Sequence, residues 1–151
     1  MDLYVLGNNP LLGSTSSFLT RISVTDSLIL VKILIIDDDE NLSAIFEAAL
    51  QKNGLETIYA LNGQSGIDKT KSEKPDLVLL DQVLPDISGN EVLKTLKMDL
   101  ATQNIPVLML SNFSQEELVK EAINNGAADY IFKYQVEPQD LVNKVKQALK
   151  I

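Results

Sequence analysis

From Lys32 onward, short apolar runs alternate with amphipathic stretches whose apolar residues recur at helical spacing. This alternation is typical of a parallel α/β sheet, whose buried strands read as apolar runs and whose helices cover both faces. A parallel sheet places the carboxyl ends of its strands along one crevice. We therefore expect the residues that follow the apolar runs to lie together, although they are far apart in the sequence.

The pattern predicts five strands and five helices. The strands are expected at Lys32–Ile36, Glu56–Ala60, Asp76–Leu80, Pro106–Leu110 and Asp129–Phe132. The expected core residues of the helices are Leu42, Ile45, Phe46, Ala49 and Leu50 in the first, Ile67 in the second, Val92, Leu93 and Leu96 in the third, Leu118, Ala122 and Ile123 in the fourth, and Leu141, Val145, Ala148 and Leu149 in the fifth.

Cap signals mark where these helices begin. Asn62 can cap the second helix, which runs to about Glu73. Ser88 and Ser114 each precede an acid at capping-box spacing and are expected to open the third and fourth helices. Pro138 can begin the last helix.

Four of the apolar runs end at residues suited to phosphate or magnesium chemistry. Asp37–Asp39, Asp81, Ser111 and Lys133 each follow one run. Carboxylates a few ångströms apart repel by about 4 kcal/mol per pair at an effective dielectric constant near 20. Such a cluster must bind protons, a cation or the lysine as a counter-charge, and a hard cation such as Mg²⁺ fits carboxylate oxygens best.

Composition narrows the possible chemistry. The chain has no histidine and no cysteine, which excludes a Ser-His-Asp triad, a Cys-His nucleophile and a zinc site of His or Cys ligands. With 151 residues, of which 45% are hydrophobic, the chain can bury one core. The formal net charge of -8 argues against direct nucleic-acid binding, which needs a basic face.

The sequence also predicts a cytoplasmic protein. Its longest apolar run, Leu28–Ile36, is interrupted by Lys32 and is far shorter than the roughly 20 residues of a membrane span. The N-terminus lacks a basic segment followed by an apolar stretch, so we expect no secretory signal.

In its elements and strand-end residues, the segment from Lys32 to Ile151 resembles the receiver domain of bacterial two-component response regulators. The resemblance includes the motif Leu84-Pro85-Asp86-Ile87-Ser88-Gly89 downstream of Asp81. It implies a flavodoxin-like, five-stranded parallel sheet of order 2-1-3-4-5 with helices on both faces. It also implies a phosphorylation switch without enzymatic turnover beyond slow self-dephosphorylation.

The resemblance assigns a role to each acid. Asp81 corresponds to the phosphoacceptor, an aspartate that attacks a phosphoryl group directly. Asp38 corresponds to the acid that contacts Mg²⁺, and Asp37 to a neighbour that acts through water or supports the ligand. The main-chain carbonyl of Val83 corresponds to the third protein ligand. Asp39 is expected instead to serve as a helix N-terminal charge.

The remaining assignments concern the switch and its partners. Lys133 would pair with the acceptor carboxylate and then with the phosphoryl oxygens. Ser111 would hydrogen-bond a phosphoryl oxygen, and Tyr130 corresponds to the aromatic switch residue. The implied partners are a sensor histidine kinase or phosphotransfer protein, and a downstream protein that binds the face formed by the fourth helix, the fifth strand and the fifth helix.

Three residues depart from the family pattern. Tyr134 stands where a cis proline is usual, which puts the geometry of that loop in question. Asn112 replaces a smaller residue, and its bulk is expected to slow access to the acceptor. Ser88 replaces an acid that often precedes the glycine, but serine caps a helix equally well.

Residues 1–30 fit none of this pattern. They contain Gly7, Pro10, Gly13 and a serine- and threonine-rich patch from Ser14 to Ser17, without a sustained helix or strand period. We therefore expect either a disordered extension or a natural start at Val31, with the receiver over 31–151. Because the chain ends with the fifth helix, we expect no fused output module in this polypeptide.

Two other functions remain open from the residues alone. A phosphatase of the haloacid-dehalogenase type would use Asp37 and Asp39 as an Asp-x-Asp motif and Ser111 as its hydroxyl, but no acidic pair ends a strand after Lys133. A receiver-like binding module that no longer uses phosphate would explain Tyr134 and Asn112.

Overall fold

The computed structural model describes residues 2–8, 17–23 and 30–151. The chain divides between Leu30 and Val31 into two compact units. The first unit contains strands β1 (Asp2–Asn8) and β2 (Ser17–Ser23), which pair antiparallel with Asp2 opposite Ser23. Regular structure thus extends into a segment for which the sequence predicted none. The rest of the predicted extension lies outside the described residues.

The second unit is a five-stranded parallel sheet with five helices. Its strands are β3 (Lys32–Ile36), β4 (Glu56–Ala60), β5 (Leu77–Asp81), β6 (Val107–Ser111) and β7 (Asp129–Phe132). Its helices are α1 (Glu40–Lys52), α2 (Gly63–Glu73), α3 (Gly89–Met98), α4 (Glu116–Asn124) and α5 (Pro138–Leu149). The strands lie in the order β4-β3-β5-β6-β7, which confirms the predicted order 2-1-3-4-5 and the flavodoxin-like fold.

Two apolar layers hold the helices to the sheet. One layer packs Leu34 and Leu80 against α2, α3 and α4, and the other packs Ile35 and Leu79 against α1 and α5. Successive residues of one strand contribute to opposite layers, as the pleat of a strand requires. Because both faces of the sheet are covered, its central strands are apolar up to the polar residues at their ends.

Most helix starts lie where the cap signals predicted. The Asn62 side chain accepts the N–H of Ser65, and the Ser88 hydroxyl oxygen accepts the N–H of Glu91. Pro138 occupies the first turn of α5. The predicted capping box at Ser114 is wrong: α4 begins at Glu116, and its cap residue Gln115 makes no side-chain cap bond.

Two expected core residues are exposed instead. Ile45 on α1 and Ile123 on α4 leave about half of their surface in water. In α4 only Ala122 is buried, because this short helix lies against the sheet along a narrow strip. Helix α1 is followed by Gly54, whose φ of +80° is in the left-handed region. In the described part of the chain, no helix has the length and apolar character needed to cross a membrane.

Candidate functional site

Three strand ends bring opposite charges into contact at the carboxyl edge of the sheet. Asp37 follows β3, Asp81 ends β5 and Lys133 follows β7. Lys133 Nζ lies 2.6 Å from Asp37 Oδ2 and 3.4 Å from Asp81 Oδ2. All three side chains are almost fully buried. The predicted meeting of these distant residues is therefore present in the structure.

Asp38 completes an acidic pocket, which we define as Asp37, Asp38, Asp81 and Lys133. One carboxylate oxygen from each aspartate lies within 4.8 Å of the others, close enough for all three to share one cation. Asp38 is exposed while Asp37 and Asp81 are buried, so the pocket opens to solvent on the side of Asp38. Carboxylate oxygens in this number suit a hard divalent cation such as Mg²⁺.

Asp39 lies outside this cluster, as the sequence predicted. Its Oδ1 accepts the N–H of Leu42 and thereby caps α1, where the helix dipole favours an anion. Its own N–H donates to Asp37 Oδ1 at 2.9 Å. The cap of α1 thus helps to orient the neighbouring buried carboxylate.

The electrostatics of the pocket favour uptake of positive charge. Burial, followed by the charge of Asp37, raises the pKa of Asp81 to about 7. Burial alone would lower the pKa of Lys133, but hydrogen bonding to Asp37 and the charges of Asp81 and Asp37 hold it above its ordinary value. Three carboxylates with one ammonium leave an excess of negative charge that a divalent cation can balance.

Ser111 and Tyr130 lie on the face of the sheet that α4 covers. Ser111 is fully buried at the end of β6, and its hydroxyl oxygen accepts the N–H of Phe113 at 2.9 Å. The Tyr130 hydroxyl donates to the Phe113 carbonyl at 3.2 Å. The main chain of Phe113 therefore connects the two side chains, a role that the sequence did not suggest because it depends on peptide atoms rather than on residue type.

The loop of residues 82–88, which we call the β5–α3 loop, carries Val83 beside the pocket. The Val83 side chain is 54% exposed, and its N–H donates to Asp81 Oδ1 at 3.4 Å. Gly89 closes the loop by donating its N–H to the Gln82 carbonyl at 2.8 Å. A Cβ at Gly89 would collide with the main-chain oxygen of Asp81 and come within 2.8 Å of Gln82 Cα. The start of α3 thus rests directly on the backbone of Asp81.

The two unusual residues lie at the rim. Tyr134 is 70% exposed, and its hydroxyl lies 3.4 Å from Asp39 Oδ2, so the loop after β7 reaches the start of α1. Asn112 is exposed beside Ser111. The Lys133–Tyr134 peptide is trans, since no peptide bond in the described residues is cis.

Comparison with known proteins decides the family. The profile of the response regulator receiver domain matches residues 33–146, a range that contains every member of the acidic pocket together with Ser111 and Tyr130. The chain belongs to the response-regulator receiver family. The chain order of the site residues agrees with this assignment. The family match therefore argues against the haloacid-dehalogenase alternative.

Two relatives and one solved structure are similar to this chain in sequence or fold. The phosphate regulon transcriptional regulatory protein PhoB of Pseudomonas aeruginosa is 37% identical over 118 residues, which cover 78% of this chain and 51% of PhoB. Sporulation initiation phosphotransferase F of Bacillus subtilis is 32% identical over 119 residues, which cover 79% of this chain and 90% of that protein. The CheY-like receiver of Methanospirillum hungatei superposes with a TM-score of 0.76 at 31% identity, covering 81% of this chain and 95% of that one.

The extent of these matches differs between relatives. This chain spans about half the length of the PhoB proteins it matches. The similarity therefore concerns the receiver part of those proteins, and it identifies this region as a receiver domain of two-component response regulators.

Proposed function

We propose that this receiver is a phosphorylation switch in which Asp81 accepts a phosphoryl group from a sensor histidine kinase or a phosphotransfer protein. The observation that carries the proposal is the burial of Asp81 at a strand end between Asp37, Asp38 and Lys133. A buried carboxylate with an ammonium 3.4 Å away and an open acidic side is suited to nucleophilic attack on phosphorus. The proposal places the protein in the cytoplasm with its kinase.

In the proposed reaction, an Asp81 carboxylate oxygen forms a bond to phosphorus as the bond from phosphorus to the donor's nitrogen or oxygen breaks. The leaving group takes the electron pair, and Asp81 becomes an aspartyl phosphate. Lys133 is already placed to donate hydrogen bonds to the added phosphoryl oxygens. Ser111 would donate its hydroxyl proton to a phosphoryl oxygen while its own oxygen still accepts the Phe113 N–H.

The residues present fit a bound Mg²⁺. Asp38 and Asp81 would hold the ion directly with the Val83 main-chain carbonyl, and Asp37 would support it from its buried position. A bound Mg²⁺ would neutralise the charge on the transferring phosphoryl group. The raised pKa of Asp81 supports this assignment, because a nearby cation stabilises the ionised carboxylate that attack requires.

Phosphorylation would be read out by protein binding at the face formed by α4, β7 and α5. The Lys133 N–H donates to the Ser111 carbonyl at 2.9 Å, and the contacts of Phe113 with Ser111 and Tyr130 continue this link from the pocket to the face. A shift of the Ser111 hydroxyl toward phosphate would therefore change the loop before α4 and the surroundings of the Tyr130 ring. A partner that binds the two arrangements with different affinity would sense the phosphorylated state.

Intact mass after incubation with acetyl phosphate and Mg²⁺ tests the acceptor. We expect one added phosphate on the parent protein and none on Asp81→Asn, because Asp81 alone combines a strand end with the downstream motif Leu84–Gly89 of the receiver family. Phosphate on Asp81→Asn at the parental level would refute the assignment. No phosphate on the parent with either acetyl phosphate or a phosphorylated phosphotransfer protein would favour the phosphate-independent binding module, which the exposed Tyr134 and Asn112 at the rim support.

Magnesium titration tests the ligands. We expect Asp38→Ala to weaken Mg²⁺ binding strongly and Asp39→Ala to weaken it little, because Asp39 caps α1 instead of facing the cluster. The two substitutions remove the same charge from adjacent positions, so each is the matched control of the other. Equal or reversed losses would refute the ligand assignment.

The switch itself is tested by comparing amide shifts of the apo protein with those of the beryllofluoride- and Mg²⁺-treated protein. We expect changes that spread from the pocket through residues 114–134. Changes confined to the pocket would leave phosphate binding intact but would refute the proposed output face.

A further inference from the structure

The β5–α3 loop is fastened to the start of α2 by a single carboxylate. Asp86 Oδ1 accepts the N–H of Gly63 at 2.7 Å, and Asp86 Oδ2 accepts the N–H of Gln64 at 2.9 Å. Both N–H groups belong to the first turn of a helix, where no intrahelical acceptor exists. Hydrogen bonds from Gln64 and Gly63 also lower the pKa of Asp86, so the carboxylate is charged at neutral pH.

The start of α2 therefore has two separate caps. Asn62 accepts the third N–H of this turn, that of Ser65, at 2.8 Å. Asn62 belongs to the segment that leads into α2, whereas Asp86 comes from the loop that follows Asp81. Both side chains stabilise the same helix end, but only Asp86 joins it to the loop beside the acidic pocket.

In the middle of the loop, Leu84 is buried in the core and Ile87 packs against it, so apolar contacts hold these two side chains. At its beginning, the N–H of Gln82 donates to the Leu110 carbonyl at 3.0 Å, and at its end Gly89 closes on Gln82. Val83 lies between these points with an exposed side chain and only a long contact to Asp81. Within the described residues, Asp86 makes the side-chain hydrogen bonds that tie residues 82–88 to another helix.

We propose that Asp86 is a positioning residue for the acidic pocket: its two bonds to α2 fix the β5–α3 loop and thereby hold the main chain of Val83 beside Asp81. The inference rests on the proposed function, in which the Val83 carbonyl binds Mg²⁺. A ligand supplied by the main chain has no rotamer of its own, so only the loop can aim it. Residues that orient metal ligands without touching the metal act in this way.

Magnesium titration of Asp86→Ala and Asn62→Ala, followed through the amide shifts of residues 81–88, tests the inference. Both variants lose a cap of α2, and we expect both to melt earlier than the parent. Only Asp86→Ala also removes the hydrogen bonds between the loop and α2, so we expect its dissociation constant for Mg²⁺ to rise about tenfold while that of Asn62→Ala stays within about twofold of the parent. Asp86→Asn, which keeps one acceptor oxygen, is expected to fall between Asp86→Ala and the parent.

The outcomes separate this inference from the proposed function. If the parent binds Mg²⁺ and the affinities of Asp86→Ala and Asn62→Ala change equally or not at all, Asp86 is merely a helix cap and the inference is wrong. If the parent binds no Mg²⁺, the proposed metal site is wrong and the inference fails with it. A selective loss in Asp86→Ala supports both.

Discussion

At the scale of single residues, the pocket is a compromise between burial and charge. Asp81 is almost fully buried, and the cost of burying its charge raises its pKa to about 7. Lys133 reduces that cost by contacting both buried carboxylates. In the proposed function, repulsion between the buried carboxylates therefore destabilises the metal-free site, and cation binding would relieve that repulsion.

The raised pKa of Asp81 predicts a pH-dependent stability in metal-free protein. An unfolded aspartate titrates near 3.9, so between about pH 4 and pH 7 the native state binds a proton that the unfolded state has lost. The stability from this group is complete below that window and is lost as pH rises through 7. Across this pH window, we expect the free energy of unfolding, measured in urea with a chelator, to decline by about 2–4 kcal/mol more for the parent than for Asp81→Asn. If the free energies of unfolding of the two proteins changed in parallel with pH, the raised pKa of Asp81 would be contradicted.

Lys133 should matter far more for folding than a lysine in a surface pair. Lys133→Met leaves Asp37 and Asp81 without their counter-charge in a buried site, and we expect a loss of roughly 3 kcal/mol in the free energy of unfolding without metal. Lys144→Met is the matched control, because Lys144 pairs with Asp129 where both side chains are more than 40% exposed, and it should cost under about 1 kcal/mol. Similar losses in urea melts would show that Lys133 is not the required counter-charge.

At the scale of elements, the most informative contrast is between α3 and α4. Helix α3 is capped by Ser88 and buries Val92, Leu93 and Leu96, whereas α4 lacks a side-chain cap and buries only Ala122. A helix with fewer fixed contacts opens or shifts at lower free energy. Helix α4, which belongs to the proposed output face, is therefore less firmly attached to the sheet than α3.

The two serines of the predicted capping boxes test this contrast. We expect Ser88→Ala to lower the free energy of unfolding by about 1 kcal/mol, because it removes the acceptor of the Glu91 N–H. Ser114→Ala should change it by less than about 0.5 kcal/mol, because Ser114 caps nothing. Urea unfolding of both variants provides the measurement, and a comparable cost at Ser114 would mean that Ser114 is the cap and that α4 begins one residue earlier in solution.

Sequence reasoning worked best where one physical rule dominates. The strands and the meeting of Asp37, Asp81 and Lys133 follow from apolar runs and parallel topology, so they were predictable. The start of α4 and the exposure of Ile45 depend on how tightly each helix lies on the sheet, which periodicity does not report. The links through Phe113 and Asp86 depend on main-chain positions in loops, and no residue pattern encodes them.

At the scale of the whole molecule, the receiver contains its own complete core. Both apolar layers are built from residues 31–151, and every member of the acidic pocket belongs to the same unit. The paired strands β1 and β2 form the other unit, and an isolated two-stranded hairpin is only marginally stable in water. The receiver is therefore expected to fold without the first 30 residues.

A protein that begins at Val31 tests this expectation. We predict a thermal midpoint within about 4 °C of the full chain, a shift that corresponds to roughly 1 kcal/mol in a domain of this size. Phosphorylation by acetyl phosphate should be retained, because no pocket residue is removed. A much larger fall in the midpoint would show that the N-terminal unit stabilises the receiver.

The close contact between the start of α3 and the end of β5 also limits which substitutions the protein can accept. The Cβ of an alanine at position 89 would clash with main-chain atoms of Asp81 and Gln82. Main-chain atoms cannot relieve a clash by changing rotamer. Gly54 has nothing within 4 Å of an added Cβ, and only its left-handed φ restricts it, so asparagine can replace it at little cost. In a library of all substitutions selected for phosphorylation, position 89 should retain glycine alone while position 54 retains glycine and asparagine.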